Sequence, residues 1–105
     1  MMAAQQLEEI VARIIDVYQP EKIILFGSYA DGTAKESSDI DLLLVKQTNE
    51  IPVDRAITVR KSLRSFLFPM DILVYTPEEI ENLKGSKYSF VSQVLKSGKI
   101  IYERS

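Results

Sequence analysis

Lys22 to Val45 reads K-I-I-L-F-G-S-Y-A-D-G-T-A-K-E-S-S-D-I-D-L-L-L-V, two short apolar runs separated by a small, polar segment. Lys22 to Phe26 is β-branched and apolar and runs straight into Gly27-Ser28, the pattern of a buried strand meeting a tight turn. Residues 29–38 read as a loop with room for one helical turn. Asp39 to Val45 reads as a second strand. The connection is short for a full helical crossover, so antiparallel pairing of the two strands, and with it a mixed sheet, is open to them.

On the N-terminal side, Leu7, Ile10, Val11, Ile14, Ile15 and Tyr18 recur at helical spacing, with Glu8, Glu9, Arg13 and Asp16 on the opposite face and Pro20 as the stop. On the C-terminal side, Pro52 opens a helix whose apolar stripe is Val53, Ala56, Val59, Leu63 and Phe66. Arg55, Arg60, Lys61 and Arg64 give that helix a basic side, which reads as solvated. Met70 to Tyr75 is a third strand. Thr76-Pro77-Glu78-Glu79 carries two helix-start signals together, a Thr cap with Glu three residues on and Pro at the first helical position. That helix runs to Leu83 and stops at Gly85. A last one holds Phe90, Val91, Val94 and Leu95 and ends at Gly98, before a closing strand from Lys99 to Glu103. The order α-β-turn-β-α-β-α-α-β has no internal repeat and no linker. It predicts one domain over residues 1–105, of α/β (α+β) class, with a small mixed sheet flanked by helices.

Composition narrows the chemistry. The chain has 105 residues, of which 46% are hydrophobic and 27% charged, an ordinary globular balance. A net charge of −2 argues against nucleic-acid binding through a bulk positive field. There is no Cys and no His. Disulfides, Fe–S clusters, thiol nucleophiles, Ser-His-Asp catalysis and His-based zinc sites are therefore excluded. A metal here has to be held by oxygen, which points to Mg²⁺, Mn²⁺ or Ca²⁺. Met1 to Gln5 lacks the regions of a signal peptide and no apolar run reaches the ~20 residues of a membrane span. A cytoplasmic protein with no membrane contact is expected. Tyr18, Tyr29, Tyr75, Tyr88 and Tyr102 are scattered, so no platform for single-stranded nucleic acid is expected.

Side chains alternate along a strand, so Asp39 and Asp41 point to one side with Cα atoms roughly 6.5–7 Å apart. Two like charges at one strand end raise each other's pKa unless a cation neutralises them. Asp71 is a third acidic residue inside an apolar strand, and it completes a triad if the second and third strands are neighbours. Taken alone, Asp39 reads as a turn cap, Asp41 as a solvated strand end, and Asp71 equally as an edge carboxylate that discourages aggregation. Together with Gly27-Ser28, whose amides and hydroxyl suit a phosphate, they read as a metal site. Gly27 and Gly32 have the spacing of a P-loop, but Thr33 stands where its Lys belongs, so that motif is not present. Turn geometry needing positive φ explains both glycines without any ligand.

The Gly-Ser, small loop and Asp-x-Asp of residues 27–45, with Pro-Met-Asp-Ile-Leu-Val as a third-carboxylate strand, resemble the signature of the DNA polymerase β-like nucleotidyltransferase superfamily. Within it, the chain looks like the minimal nucleotidyltransferases, the MntA-type antitoxins paired with HEPN-domain ribonuclease toxins. The resemblance implies that Asp39 and Asp41 hold two Mg²⁺ ions, that Asp71 binds the catalytic one and orients or deprotonates the acceptor hydroxyl, and that Gly27 and Ser28 bind the β- and γ-phosphates of ATP. It implies AMP transfer to a hydroxyl, a Tyr by family likeness, of a partner HEPN toxin. Family members commonly carry a basic residue where this chain has Asp31, and Lys35 is a candidate substitute. Two alternatives remain at this point. One is a non-catalytic antitoxin that neutralises by docking, with Asp31 as its support. The other is a small-molecule, aminoglycoside-type enzyme, which the short chain disfavours. Homodimer and hetero-oligomer are both open.

Overall fold

The computed structural model describes residues 4–86 and 89–104. Its elements are α1 (Ala4–Tyr18), β1 (Lys22–Phe26), α2 (Ser28–Asp31), β2 (Ile40–Val45), α3 (Pro52–Ser62), β3 (Met70–Tyr75), α4 (Pro77–Leu83), α5 (Phe90–Ser97) and β4 (Lys99–Glu103). The strands form one mixed sheet in the order β3-β2-β1-β4. β1 is antiparallel to both β2 and β4, whereas β2 and β3, joined through α3, are parallel. Met1 to Ala3 and Tyr88 lie outside the described residues. Among the described residues no helix is long and apolar enough to cross a membrane.

The alternation of β1 and β2 builds two cores. Ile23, Leu25, Leu42 and Leu44 face α1 and α3, where Ile10, Ile14, Val59 and Leu63 meet Ile72 and Val74. Ile24, Leu43 and Val45 face the other way, against Val94 of α5, with Phe26, Tyr75 and Ile80 at the margin. Both central strands are covered on both sides, which is why they read as unbroken apolar runs. Along β4 the ladder shifts register. Ile23 pairs with Tyr102 and Ile24 with Ile100, so Ile101 is an extra residue bulged from the pairing.

Two expectations for α3 need correction. The helix stops at Ser62, short of Phe66, and its first apolar position, Val53, is 59% exposed. Arg55 is not solvated but buried, 6% exposed. Its guanidinium donates to the carbonyls of Glu50 (2.9 Å) and Val74 (3.4 Å) and pairs with Glu79 Oε1 at 2.7 Å. An Arg stem covers apolar surface while its head finds these acceptors, so a basic residue lies beside the stripe without breaking it. Glu79 also closes the expected capping box: its carboxylate accepts from the Thr76 amide, and its own amide donates to Thr76 Oγ1.

Burial pulls the Glu79 carboxyl upward, but hydrogen bonds from Arg55 and the Thr76 amide, with the charge of Arg55, outweigh it, and the pKa lies below its usual value. A carboxyl depressed on folding adds stability above the unfolded pKa and loses it as pH falls through the folded one. Glu79→Gln is thus expected to unfold at lower urea than the parent at pH 7, with the two converging under acid. Arg55→Met, which leaves two carbonyls and a carboxylate without their cation, is expected to cost about 2–3 kcal/mol by the same measurement. Equal midpoints at pH 7 would show that this network carries no net stability.

Candidate active site

The sheet topology gathers one end of three strands. Because β1 runs opposite to β2 and β3, its C-terminal end meets their N-terminal ends. Phe26, the last residue of β1, pairs with Asp41, and Asp41 pairs with Asp71. Residues paired across strands project to the same face. Here it is the face of α4 and α5, since Leu43 and Val45, further along the same side of β2, pack there. A backbone hydrogen bond from Ile40 N to Pro69 O, 3.0 Å, aligns the entrances of β2 and β3.

Asp41 is partly buried, while Asp39 and Asp71 are exposed. Burial raises the Asp41 pKa above the ordinary carboxylate value, and the charges of Asp71 and Asp39 push it further in the same direction. Loss of water around a carboxyl and the nearness of like charges both disfavour its anion. Asp39 immediately precedes β2. Asp71 lies on an edge strand, and Arg60 Nη2 of α3 approaches its Oδ1 at 3.7 Å. That partner was not visible in the sequence, where Arg60 belongs to a basic face and nothing local ties it to a strand.

Gly27 shapes the floor beside Asp41. Its backbone has φ 73 and ψ −156, a region essentially confined to glycine. A Cβ at this position would overlap Asp41 Oδ2. The glycine therefore serves both the sharp exit from β1 and the close seat of the carboxylate. Its carbonyl accepts from the amides of Ala30 (3.0 Å) and Asp31 (3.1 Å), winding the loop into the single turn α2, and Gly32 ends that turn with φ 84. Ser28 is half-buried at the start of this turn. Tyr29 meets Phe68 edge-on at 6.4 Å and packs against the main core, linking α2 to the segment before β3.

Asp31, the residue that departs from the family pattern, turns back on its own loop. Its Oδ1 accepts from the Thr33 hydroxyl (2.5 Å) and the Thr33 amide (3.0 Å), and these bonds hold its pKa below the usual value. The Lys35 side chain stands exposed.

The donor set suits a hard divalent cation: carboxylate oxygens from adjoining strands, two of them in register, with one carboxyl destabilised as an anion. Among the described residues no three acidic, His or Cys side chains stand close enough to form a complete cage. Two clefts of about 400 Å³ lie elsewhere, one lined by Glu21, Lys22, Val45 and Pro77 at the other end of the sheet, one along α1 and Ile101. Neither contains these carboxylates.

Comparison with known proteins bears on the family and the fold. The family model described as polymerase beta, nucleotidyltransferase matches residues 5–105. Two proteins of Methanocaldococcus jannaschii, both named as protein adenylyltransferases, are similar. One is 37% identical over 84 residues, which are 78% of this chain and 78% of that protein. The other is 38% identical over 87 residues, 78% of this chain and 58% of that protein. Among solved structures, a Sulfolobus solfataricus chain described as a nucleotidyltransferase superposes with TM-score 0.67 at 22% identity, covering 95% of this chain and 79% of its own. A toxin–antitoxin structure with AMP-PNP gives TM-score 0.65 at 24% identity, covering 93% and 73%. The complex of a tri-AMPylated Shewanella oneidensis HEPN toxin with its MNT antitoxin gives 0.60 at 21%, covering 98% and 74%. At these identities the solved structures establish the fold. With the family model matching nearly the whole chain, the protein belongs to the polymerase β nucleotidyltransferase family.

Proposed function

We propose that this chain transfers AMP from Mg²⁺-bound ATP to a hydroxyl, a Tyr, of a HEPN-type partner protein, and thereby acts as an antitoxin. The observation that supports this reading best is the in-register pair Asp41–Asp71 beside Gly27. Asp39, Asp41 and Asp71 are the residues that would hold Mg²⁺, a hard ion that takes carboxylate oxygens. Such an ion would supply stabilisation of the negative charge that develops in an in-line displacement at the α-phosphate.

The chain's own residues do the rest. The Gly27–Ser28 turn offers amides and a hydroxyl to the β- and γ-phosphates. Asp71 is exposed on an edge strand, within reach of a hydroxyl from solvent, and its carboxylate would orient that hydroxyl or take its proton. Exposed carboxylates that line neither of the two clefts favour an acceptor carried by another macromolecule over a small molecule enclosed in a pocket. Both M. jannaschii relatives are named for transfer to protein, which points the same way.

The docking-only alternative keeps its footing in Asp31, whose carboxylate the Thr33 hydrogen bonds hold in the charged form. The experiment is transfer of radiolabelled AMP from ATP to the co-expressed HEPN partner. The parent chain is expected to label it, and the double variant Asp39→Asn, Asp41→Asn is not. Toxin neutralisation by that double variant, with no label from either protein, would establish the docking reading instead.

A further inference from the structure

We infer that Phe90, backed by Phe26, forms an aromatic wall on which the base of the bound nucleotide stacks. The inference rests on the nucleotidyl-transfer reading above and adds a subsite to it. Phe26 pairs with Asp41 across the strands, so its ring lies on the carboxylate face, one residue before the Gly27 turn. Phe90 opens α5 and meets Phe26 edge-on, with ring centroids 5.5 Å apart and planes at 81°. The anchoring of α5 does not depend on Phe90. Val91 and Val94 provide its buried contacts, and Ser89 caps it by accepting from the Ser92 amide while its hydroxyl donates to Leu83 O. Yet Phe90 remains 49% exposed, a large apolar ring left half in water beside the acidic site.

The layout then decides where a base goes. Phosphates held at Gly27–Ser28 lie at the end of β1. The Asp71 side is the sheet edge and has to admit the acceptor. The nucleoside is thereby directed away from β3, back over β1, where Phe90 stands. A base of any identity presents a π face to such a ring, so this contact supplies affinity with little base selectivity.

The chain has no Trp, so Phe90→Trp introduces a single indole. Mg²⁺-ATP is expected to quench its emission with a saturating isotherm, and Mg²⁺-triphosphate, which lacks base and ribose, is expected to leave it unchanged. By calorimetry, Phe90→Ala is expected to weaken Mg²⁺-ATP about tenfold or more, the scale of one lost base–aromatic stack, while triphosphate affinity stays as in the parent. Unchanged ATP affinity, or equal weakening toward both ligands, would overturn the assignment, as would an indole silent to ATP at concentrations that saturate the parent. A parent chain that binds neither ligand would instead defeat the nucleotidyl-transfer reading, and this inference with it.

Discussion

Asp41→Asn should melt higher than the parent in metal-free buffer at neutral pH, and should transfer no measurable AMP. Both halves follow from one carboxylate. Its pKa is raised in the folded chain by burial and by the charges of Asp71 and Asp39. The unfolded chain therefore releases this proton first as pH rises, and stability falls from the ordinary carboxylate range up to the raised folded value. Below that range the penalty is absent. The amide variant never acquires it, so the two melting curves should coincide in acid and separate above it, with the variant on top. Mg²⁺ should raise the melting temperature of the parent and leave the variant unmoved. Activity should fall on the order of a thousandfold or more, because charge stabilisation by a metal is worth several kcal/mol in such displacements. A variant that melts at or below the parent at pH 7 in EDTA would show that these carboxylates are not in conflict.

Gly27→Ala tests the same site from the backbone. The new methyl group meets Asp41 Oδ2, and the local φ and ψ are ones that only glycine adopts comfortably. A loss of about 1–3 kcal/mol in unfolding free energy is expected from the backbone alone. Under the role proposed for Asp41, its displacement should then cost on the order of a hundredfold in transfer rate, because a small misplacement of a reacting group is costly. Gly32→Ala is the matched control. It also has positive φ, but nothing lies within 4 Å of its new Cβ, so it should lose some stability and retain its rate. Comparable rate losses in the two variants would mean that backbone strain, rather than contact with Asp41, is what matters at Gly27.

Much of this was legible in the amino-acid order because it is local. The unbroken apolar runs of β1 and β2, the Gly-Ser exit, the Thr76–Glu79 capping box and the ends of β3 and β4 each follow from a few neighbouring residues. The expected mixed sheet is present, with β1 and β2 antiparallel. What was not legible depends on which segments meet. Nothing in β2 or β3 alone announces that they pair in parallel with Asp41 opposite Asp71, because register is fixed by the crossover through α3 and by packing on both faces. The basic side of α3 misled for a related reason. Arg55, Arg60, Lys61 and Arg64 share a charge, yet Arg55 turns inward to acceptors supplied by β3 and α4, and Arg60 reaches the edge strand. Charge along a helix tells where solvent is cheapest, not which distant carboxylate is near. The contact between Phe26 and Phe90 spans most of the chain and left no local trace for the same reason.

The irregularity at Ile101 has a consequence for the protein in a crowded cell. β4 is an outer strand bearing Ile100, more than half of whose surface meets water. A straight ladder at that margin would invite a neighbouring molecule to continue it and so begin a fibril. The extra residue interrupts the regular repeat of β4, and an interrupted edge makes a poorer template for a would-be recruit. A single supernumerary isoleucine thus works against polymerisation by the general behaviour of bulged edges.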